Sequence, residues 1–302
     1  MTIEFMRLIS KLINRVKNLR FSLMRFAARF IFVRRIYFIL NRRKKTNWNL
    51  KESVFKNINI EFFLKTLHEN GYAKGLNLPK ELIEEIHQYT KKFPCYGDQK
   101  NNKGFLYEQK QLLKQKGMEF MTGFYPNLIE NCPAIKKISI DPMIWFIAEN
   151  YLGFKPQLVQ TSLWWVFPKN SSEMEQNIWA QKFHHDVDDY RFIKFFFYLT
   201  DVDENSAPHV YVSSSHLNKK ISFQASLKRR TDEEIFSSYE DQKIITILGK
   251  KGTGFVGDTY CFHKASVPIS RDRLVLQLQF AKNNYHKEPD KIDTKYLKQI
   301  DL

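Results

Sequence analysis

Strict alternation between residues 274 and 280 constrains the fold of this chain more than any other feature of its sequence. Four large apolar side chains take every second position: Leu274, Leu276, Leu278 and Phe280. Between them stand Val275, Gln277 and Gln279. Because successive side chains of a strand point to opposite faces of a sheet, the pattern predicts a strand with one apolar and one mixed face. Arg273 shares the parity of the glutamines, so it lies either inside a barrel mouth or on a solvent face, and alternation does not decide which.

Three other segments predict strands. Residues 192–202 form an apolar run, residues 210–213 form a shorter one, and residues 156–167 form a third. Trp164 and Trp165 must face opposite ways if the last of these is extended. Core packing is the expectation for both tryptophans, with a pocket as the alternative for one of them.

Helices are predicted between these strands. Residues 61–71 and 141–153 are helical until a glycine ends each of them, and residues 79–89 begin with a proline in the favoured first turn. Residues 95–132 are polar and give no readable pattern; a loop over a functional site is the hypothesis for them. With 302 residues, the chain is long enough for one large domain or two small ones.

The positive charge of the chain is concentrated at its N-terminus. Residues 1–45 hold thirteen Lys and Arg against the single Glu4, which is +12 of the net +16. Apolar residues recur there at spacings of three and four, from Ile9 to Leu40, as on one face of a helix. Four arginines within residues 21–40 argue against a membrane span, since each would cost about 2.5–3.5 kcal/mol at the bilayer centre.

This arm has three interpretations. A basic amphipathic helix in an anionic membrane surface is favoured. A helix that packs on the domain or on another subunit is the second, and nucleic-acid binding is the weakest because the aromatic residues follow the apolar stripe rather than a stacking platform. No small-residue cleavage site follows the arm, which argues against a secretory signal.

The three cysteines are scattered, at Cys95, Cys132 and Cys261. They form no CxxC pair, so neither a disulfide framework nor a zinc knuckle is indicated. A reducing cytoplasm is therefore the expected location, with peripheral attachment to the inner face of the cytoplasmic membrane as an extension of it.

Residues 183–189 contain two candidate metal ligands. His184 and Asp186 are two apart, so on an extended backbone both point to one face and can hold the same ion. A neutral imidazole and a carboxylate suit a divalent transition metal, Fe(II) in particular, and His263 is the best candidate for the third ligand. Three protein ligands on one face would leave open positions for oxygen chemistry.

Other polar residues have plainer interpretations. His185 is expected to pack or to make a hydrogen bond behind the ligands, and His209 and His216 are expected to tie loops. Asp188 and Asp189 are interpreted as solvated, with contact to a polar substrate as the alternative. Asp258 is expected to anchor the turn before His263.

Five motifs in a fixed order resemble those of the phytanoyl-CoA dioxygenase family. They are FHHD at 183–186, FYLTDVD at 197–203, APHVYVSSSH at 207–216, GDTYCFHK at 257–264 and, ten residues past His263, Arg273. The likeness covers roughly residues 60–285. It implies an α+β fold with a double-stranded β-helix core (jelly-roll, cupin-like) flanked by helices. The resulting division is a basic helical arm at 1–50 and an oxygenase domain at 60–290.

The resemblance also implies a site. It makes His184, Asp186 and His263 the iron ligands and the catalytic centre. It makes Arg273 the residue that binds the far carboxylate of 2-oxoglutarate, with Arg271 as the nearby competitor of equal parity. The implied cofactors are Fe(II), the co-substrate 2-oxoglutarate and O2. Asp186 argues against a halogenase, because a halide would need the carboxylate's coordination position.

The expected activity is therefore hydroxylation of a C–H bond by an Fe(II)- and 2-oxoglutarate-dependent dioxygenase. The substrate would be a small molecule or a lipid-linked one, such as the sugar of a glycolipid or lipopolysaccharide. The alternative is a catalytically inactive member of the fold that binds or scaffolds at a membrane surface. The sequence departs from the family where Gly is common, at four positions: Ala207, Ser214, Cys261 and Ala265.

Overall fold

Eleven antiparallel strands form the centre of the part of the chain that the computed structural model describes, which is residues 19–43, 46–169, 172, 181–285 and 291–302. The first five strands are β1 (Tyr72–Lys74), β2 (Cys95–Gly97), β3 (Gly104–Phe105), β4 (Thr122–Tyr125) and β5 (Gln157–Val166). The remaining six are β6 (Phe192–Tyr198), β7 (His209–Val212), β8 (Ile244–Ile247), β9 (Gly254–Gly257), β10 (His263–Ala265) and β11 (Arg273–Ala281).

Two sheets contain these strands. The larger has the order β1-β9-β6-β11-β5-β4-β2-β3, and the smaller has the order β10-β7-β8. Strand β11 lies at the centre of the larger sheet, where Gln277 pairs with Ser162 of β5 on one side and Phe196 of β6 on the other. The two sheets and the helices around them form the jelly-roll core that the resemblance implies, so the predicted fold class is confirmed.

Ten α-helices surround the sheets in the described residues. They are α1 (Leu19–Ala27), α2 (Ile31–Asn41), α3 (Ile60–Asn70), α4 (Lys80–Lys92), α5 (Lys110–Gln115), α6 (Leu128–Asn131), α7 (Pro133–Ser139), α8 (Pro142–Leu152), α9 (Ile221–Ala225) and α10 (Asp232–Phe236). Short 3-10 turns lie at Leu50–Glu52, Tyr107–Gln109, Asp241–Lys243 and Thr294–Tyr296.

The predicted helix ends are confirmed by their caps. The Asn59 side chain accepts a hydrogen bond from the backbone N–H of Phe62 at the start of α3, and the Asp141 side chain accepts one from Met143 at the start of α8. Each satisfies a backbone donor that the first turn leaves free. Gly71 and Gly153 end these two helices in the left-handed conformation, with φ of 76° and 81°, which glycine adopts without steric cost.

The two faces of β11 lie in different environments. Its apolar face packs against helices α3, α4, α7 and α8 in the main hydrophobic core, together with Phe195 and Phe197 of β6. On the opposite face, Val275 joins a smaller core between the two sheets, and Arg273 and Gln277 line a cavity. The mixed face is therefore the inside of the barrel mouth and not a solvent face.

Residues 95–132 are more regular than the loop hypothesis assumed. They supply β2, β3 and β4, which extend the larger sheet beyond β5, as well as helices α5 and α6. The strands are two to four residues long. Such short strands depend on pairing with their neighbours, and their own sequences carry too few residues for a period to be seen.

The described part of the arm forms two helices where the apolar stripe predicts one. Residues 28–30 separate α1 from α2. Both helices lie against the domain: Met24 of α1 is buried in a cluster with Val187 and Tyr260, and Arg34 of α2 is buried 3.6 Å from Asp258. Residues 1–18, where the stripe begins, lie outside the described residues. Among the described residues, no helix combines the length and the apolar character that crossing a membrane requires.

Candidate metal centre and its cavity

Backbone pairing brings the two predicted histidine ligands together across the mouth of the barrel. His184 and His263 face each other in an antiparallel bridge, and each donates its N–H to the carbonyl of the other, at 3.0 and 2.9 Å. Residues paired in this way carry their side chains on the same face. The two imidazole rings lie 4.3 Å apart, although 78 positions separate them along the chain.

Asp186 completes the group from the same segment. Its backbone N–H donates to the carbonyl of Thr259 at 2.8 Å, which holds the residue two positions beyond His184 in an extended conformation. Its Oδ1 lies 3.8 Å from Nε2 of His184 and its Oδ2 lies 3.6 Å from Nε2 of His263. One ligand atom from each of the three residues lies within 4.8 Å of the others, a spacing that can hold a metal ion.

Hydrogen bonds orient both imidazoles with Nε2 toward the centre. Nδ1 of His184 lies 3.0 Å from the carbonyl oxygen of Lys182, and Nδ1 of His263 lies 3.0 Å from that of Cys261. A carbonyl only accepts, so each Nδ1 carries the proton and each Nε2 carries a lone pair. Bonds of this kind fix the tautomer and ring orientation of metal-binding histidines.

The protonation states of the three residues also suit a metal. Burial and the neighbouring His263 lower the pKa of His184 to about 3, and burial lowers the pKa of His263. Burial alone would raise the pKa of Asp186, but the ammonium of Lys194 and the two imidazoles outweigh it and hold the pKa well below its ordinary value. Two neutral imidazoles and a carboxylate are the forms that bind a divalent cation.

Lys194 is a part of the site that the sequence analysis missed. It lies on β6, and its Nζ is 2.8 Å from Oδ2 of Asp186 and 3.3 Å from Oδ2 of Asp188. Burial lowers the pKa of this lysine, but the two carboxylates outweigh burial and raise it. A single lysine within the apolar run at 192–199 was the available signal, because a charge is seldom buried in a strand unless it is paired.

Asp188 and Asp189 correct the expectation of solvated side chains. Asp188 pairs with Lys194 and accepts a hydrogen bond from Gln279 at 3.3 Å. Asp189 is fully buried and accepts backbone hydrogen bonds from Tyr190, Lys282 and Asn283. Both carboxylates therefore brace the segment that carries the candidate ligands.

Arg273 points into the same cavity. Its Nη1 donates to the carbonyl of Ala207 and lies 3.3 Å from Nδ1 of His209, while its Nε has no hydrogen-bond partner. The side chain is 1% exposed and pairs with no carboxylate among the described residues; the Tyr198 hydroxyl is a further polar neighbour of its guanidinium. A buried cation without an anion is costly, so the site is suited to an acidic ligand. Arg271, the predicted competitor, is exposed and pairs with Asp203 at 2.6 Å.

The cavity has a volume of about 410 Å³ and contains all four predicted site residues. Trp164 lines it while Trp165 packs in the core, so the pocket alternative holds for the first tryptophan. His209 also lines it, which corrects the expectation that this residue ties a loop. His216 does hold its loop in place, as expected, because its Nε2 lies 3.1 Å from the carbonyl oxygen of His68.

Two of the departures from the family pattern have a backbone explanation. Ala207 and Ser214 are both left-handed, with φ of 57° and 61°, a conformation that glycine adopts most readily. Both residues therefore stand in a backbone conformation that a glycine would adopt at less steric cost. Cys261 and Ala265 are not among the residues with positive φ, so backbone conformation does not explain them.

Comparison with known proteins gives a fold and no family. No protein-family model and no curated protein matches the chain. Among solved structures, the epimerase SnoN in complex with Fe3+, alpha ketoglutarate and nogalamycin RO is similar, with a TM-score of 0.50 and 13% identity over 74% of this chain and 83% of that one. HygX from Streptomyces hygroscopicus, with nickel, 2-oxoglutarate and hygromycin B bound, gives a TM-score of 0.49 and 12% identity over 79% and 94%.

At 13% identity and a TM-score of 0.50, the likeness to SnoN shows a shared fold and nothing narrower. That fold agrees with the jelly-roll prediction. The narrower resemblance to phytanoyl-CoA dioxygenase, the division at residues 50–60 and the metal role of the three ligands stay predictions.

Proposed function

We propose that the chain is an Fe(II)- and 2-oxoglutarate-dependent enzyme. The observation that carries this proposal is the content of one cavity: three convergent side chains that could hold a metal ion, and a buried guanidinium that pairs with no carboxylate of the described residues. Two imidazoles and a carboxylate on one face are the donor set that non-heme iron oxygenases use. SnoN, which has a similar fold, is described in complex with Fe3+ and alpha ketoglutarate.

The residues divide into two binding roles. His184, Asp186 and His263 would hold the iron, and Arg273 would pair with the far carboxylate of 2-oxoglutarate. A guanidinium presents a planar fork that matches a carboxylate with two parallel hydrogen bonds. When bound, the iron would activate O2, and oxidation of 2-oxoglutarate to succinate and CO2 would supply two of the four electrons that O2 accepts, the substrate supplying the other two.

The chain itself contributes orientation and exclusion of water. The carbonyls of Lys182 and Cys261 keep both imidazoles aimed at the centre, and Lys194 holds Asp186 in place. Phe196 and Trp164 cover parts of the cavity wall with apolar surface. Apolar wall at this position limits the contact of water with the reacting atoms.

We propose hydroxylation of a C–H bond as the reaction, on a small polar molecule or on the head of a lipid-linked one. A second cavity of about 580 Å³ supports this substrate class. It shares four wall residues with the first cavity: Gln99, Phe124, Gln160 and Ser162. Its other walls include Asn101, Thr161 and two tyrosines, Tyr96 and Tyr296. Amides and hydroxyls beside aromatic rings suit a ligand that carries many hydroxyl groups.

Succinate release tests the proposal. The purified chain is incubated with Fe(II), 2-oxoglutarate and O2, and succinate is measured with and without candidate substrates. We expect turnover that requires all three components, and we expect His184→Ala and Asp186→Ala to reduce it to the level of the metal-free protein. His87→Gln is the matched control, because the His87 side chain bonds to the carbonyl of Leu199 and does not line the cavity, so the variant should keep full turnover.

Unchanged succinate release in both alanine variants would contradict the proposal. Thermal unfolding of each variant shows whether a loss of turnover comes from a loss of fold. A wild-type chain that binds iron and co-substrate without any turnover would instead favour the catalytically inactive alternative.

A further inference from the structure

The two arm helices present a second apolar face, which points away from the domain. On α1, Leu19, Leu23 and Phe26 follow the i, i+4, i+7 spacing of a single stripe, and each is 61% or 62% exposed. On α2, Phe32, Ile36, Ile39 and Leu40 form a second stripe, with exposures between 52% and 77%. We call these seven residues the outer face. Isolated exposed apolar residues are ordinary, but seven of them along two successive helices indicate a surface that is covered in use.

The opposite face of the same helices is attached to the domain. Met24 and Ala28 are buried there. Tyr260 donates its hydroxyl to the carbonyl of Arg29 at 2.5 Å, and Arg34 lies 3.6 Å from Asp258 while its guanidinium covers the Tyr260 ring. The outer face is therefore not the packing face of these helices, because that role belongs to the inner residues.

The charge around the outer face has one sign. Arginines interleave with its apolar residues, and no acidic residue occurs between Leu19 and Arg43. Arg25 and Arg35 are exposed beside the stripe, and Arg42 and Arg43 follow it. Apolar residues that can enter the boundary of a lipid layer, flanked by cations that meet acidic headgroups, are the composition of an interfacial helix. A nucleic-acid surface would not require a stripe of Leu and Ile.

We propose that the outer face binds an anionic lipid surface and holds the domain against it. Because the inner face fixes the helices to the segment at 258–263, which carries a candidate ligand, attachment to lipid also fixes the position of the barrel. The proposal is independent of the proposed iron chemistry, since lipid binding by this face needs neither metal nor 2-oxoglutarate. It would give such an enzyme access to substrates held in a membrane.

Vesicle flotation of the full chain tests this assignment. We expect binding to phosphatidylcholine vesicles that contain phosphatidylglycerol, weaker binding to pure phosphatidylcholine, and release as NaCl is raised. The combined variant Leu23→Ser, Ile36→Ser, Leu40→Ser should weaken binding at least about tenfold, because three apolar side chains no longer leave water. Arg25→Gln with Arg35→Gln should weaken binding to the anionic vesicles about tenfold and binding to pure phosphatidylcholine little.

The matched control replaces three exposed isoleucines outside the arm by serine. Ile140, Ile221 and Ile269 are 65%, 69% and 69% exposed outside the arm, so their combined change to serine should leave vesicle binding within about twofold of the unmodified chain. Equal loss in the control and arm variants, or no vesicle binding by the full chain, would overturn the proposal. So would a lipid-free dimer that the arm variant dissociates without any vesicle binding, because that result would assign the outer face to a second copy of the chain.

Discussion

At the scale of single residues, the cavity is built around charges whose partners decide their function. Lys194 is neutralised by Asp186 and Asp188, whereas Arg273 has no carboxylate among the described residues. Both side chains line the same cavity, the arginine buried and the lysine nearly so. The paired lysine is therefore placed to position Asp186, a candidate ligand, and the arginine is the cation available to an incoming acid.

Substitution of Arg273 by Met should weaken binding of 2-oxoglutarate by about two orders of magnitude, because truncating one partner of a buried charge pair costs about 2–5 kcal/mol. Isothermal titration of the anaerobic Fe(II) protein measures the change. Arg271→Gln is the control, since Arg271 is exposed and pairs with Asp203 outside the cavity. A larger effect from the Arg271 variant would assign the co-substrate to the competitor.

Asp258 links the arm to the turn before His263, and its carboxylate should contribute stability that depends on pH. Burial raises its pKa, but Arg34, His216 and the Tyr151 hydroxyl outweigh burial, so the folded pKa lies below the ordinary value of 3.8. Because the folded pKa is lower than the ordinary one, the ionised carboxylate stabilises the fold at pH values above 3.8. This contribution is lost as the pH falls through the folded pKa.

Asp258→Asn should therefore lower the free energy of unfolding at pH 7 by about 3–5 kcal/mol, because it leaves the buried Arg34 without its partner. The difference between variant and unmodified chain should shrink below pH 3.8, as the unmodified carboxylate also becomes neutral. Denaturant unfolding at several pH values measures both effects. Asp201→Asn, at an exposed pair with Lys250, should change little, and a difference for Asp258→Asn that stayed constant with pH would contradict the assignment.

At the scale of elements, regular patterns in the sequence predicted those strands and helices that carry their own signal. Strand β11 alternates over its whole length, and α8 has a capping Asp141 and a terminal Gly153. Strands β2 to β4 carry no such signal, since they are held by pairing with β5 and with each other. The break between α1 and α2 lies where Ala28 packs on the domain. The spacing of apolar residues along the arm does not show such a tertiary contact.

Left-handed Ala207 gives a prediction at this scale. Ala207→Gly and Ala281→Gly each remove a buried methyl group, but only the first relieves a positive φ. An L-residue in that conformation costs roughly 1–2 kcal/mol, so Ala281→Gly should destabilise the fold by about that much more than Ala207→Gly. Thermal and denaturant unfolding compare the two variants. Equal losses would show that the turn at Ala207 carries no backbone strain.

At the scale of the whole molecule, four predicted residues from distant parts of the chain meet in one cavity. His184, Asp186, His263 and Arg273 were identified by motif order, and the structure brings all four together. Lys194 and His209 were missed in this role because their importance depends on which strand face turns inward. The arm is a similar case. Its basic charge is visible in the sequence, but the fold is needed to tell the face that packs on the domain from the face that is exposed.

The central claim is that this cavity binds iron and 2-oxoglutarate together, and anaerobic visible spectroscopy tests it most directly. We expect a weak charge-transfer band when Fe(II) and 2-oxoglutarate are both added, no band with either alone, and no band in the His263→Ala variant. A folded wild-type chain that gives no band, or a band that persists in His263→Ala, would contradict the account.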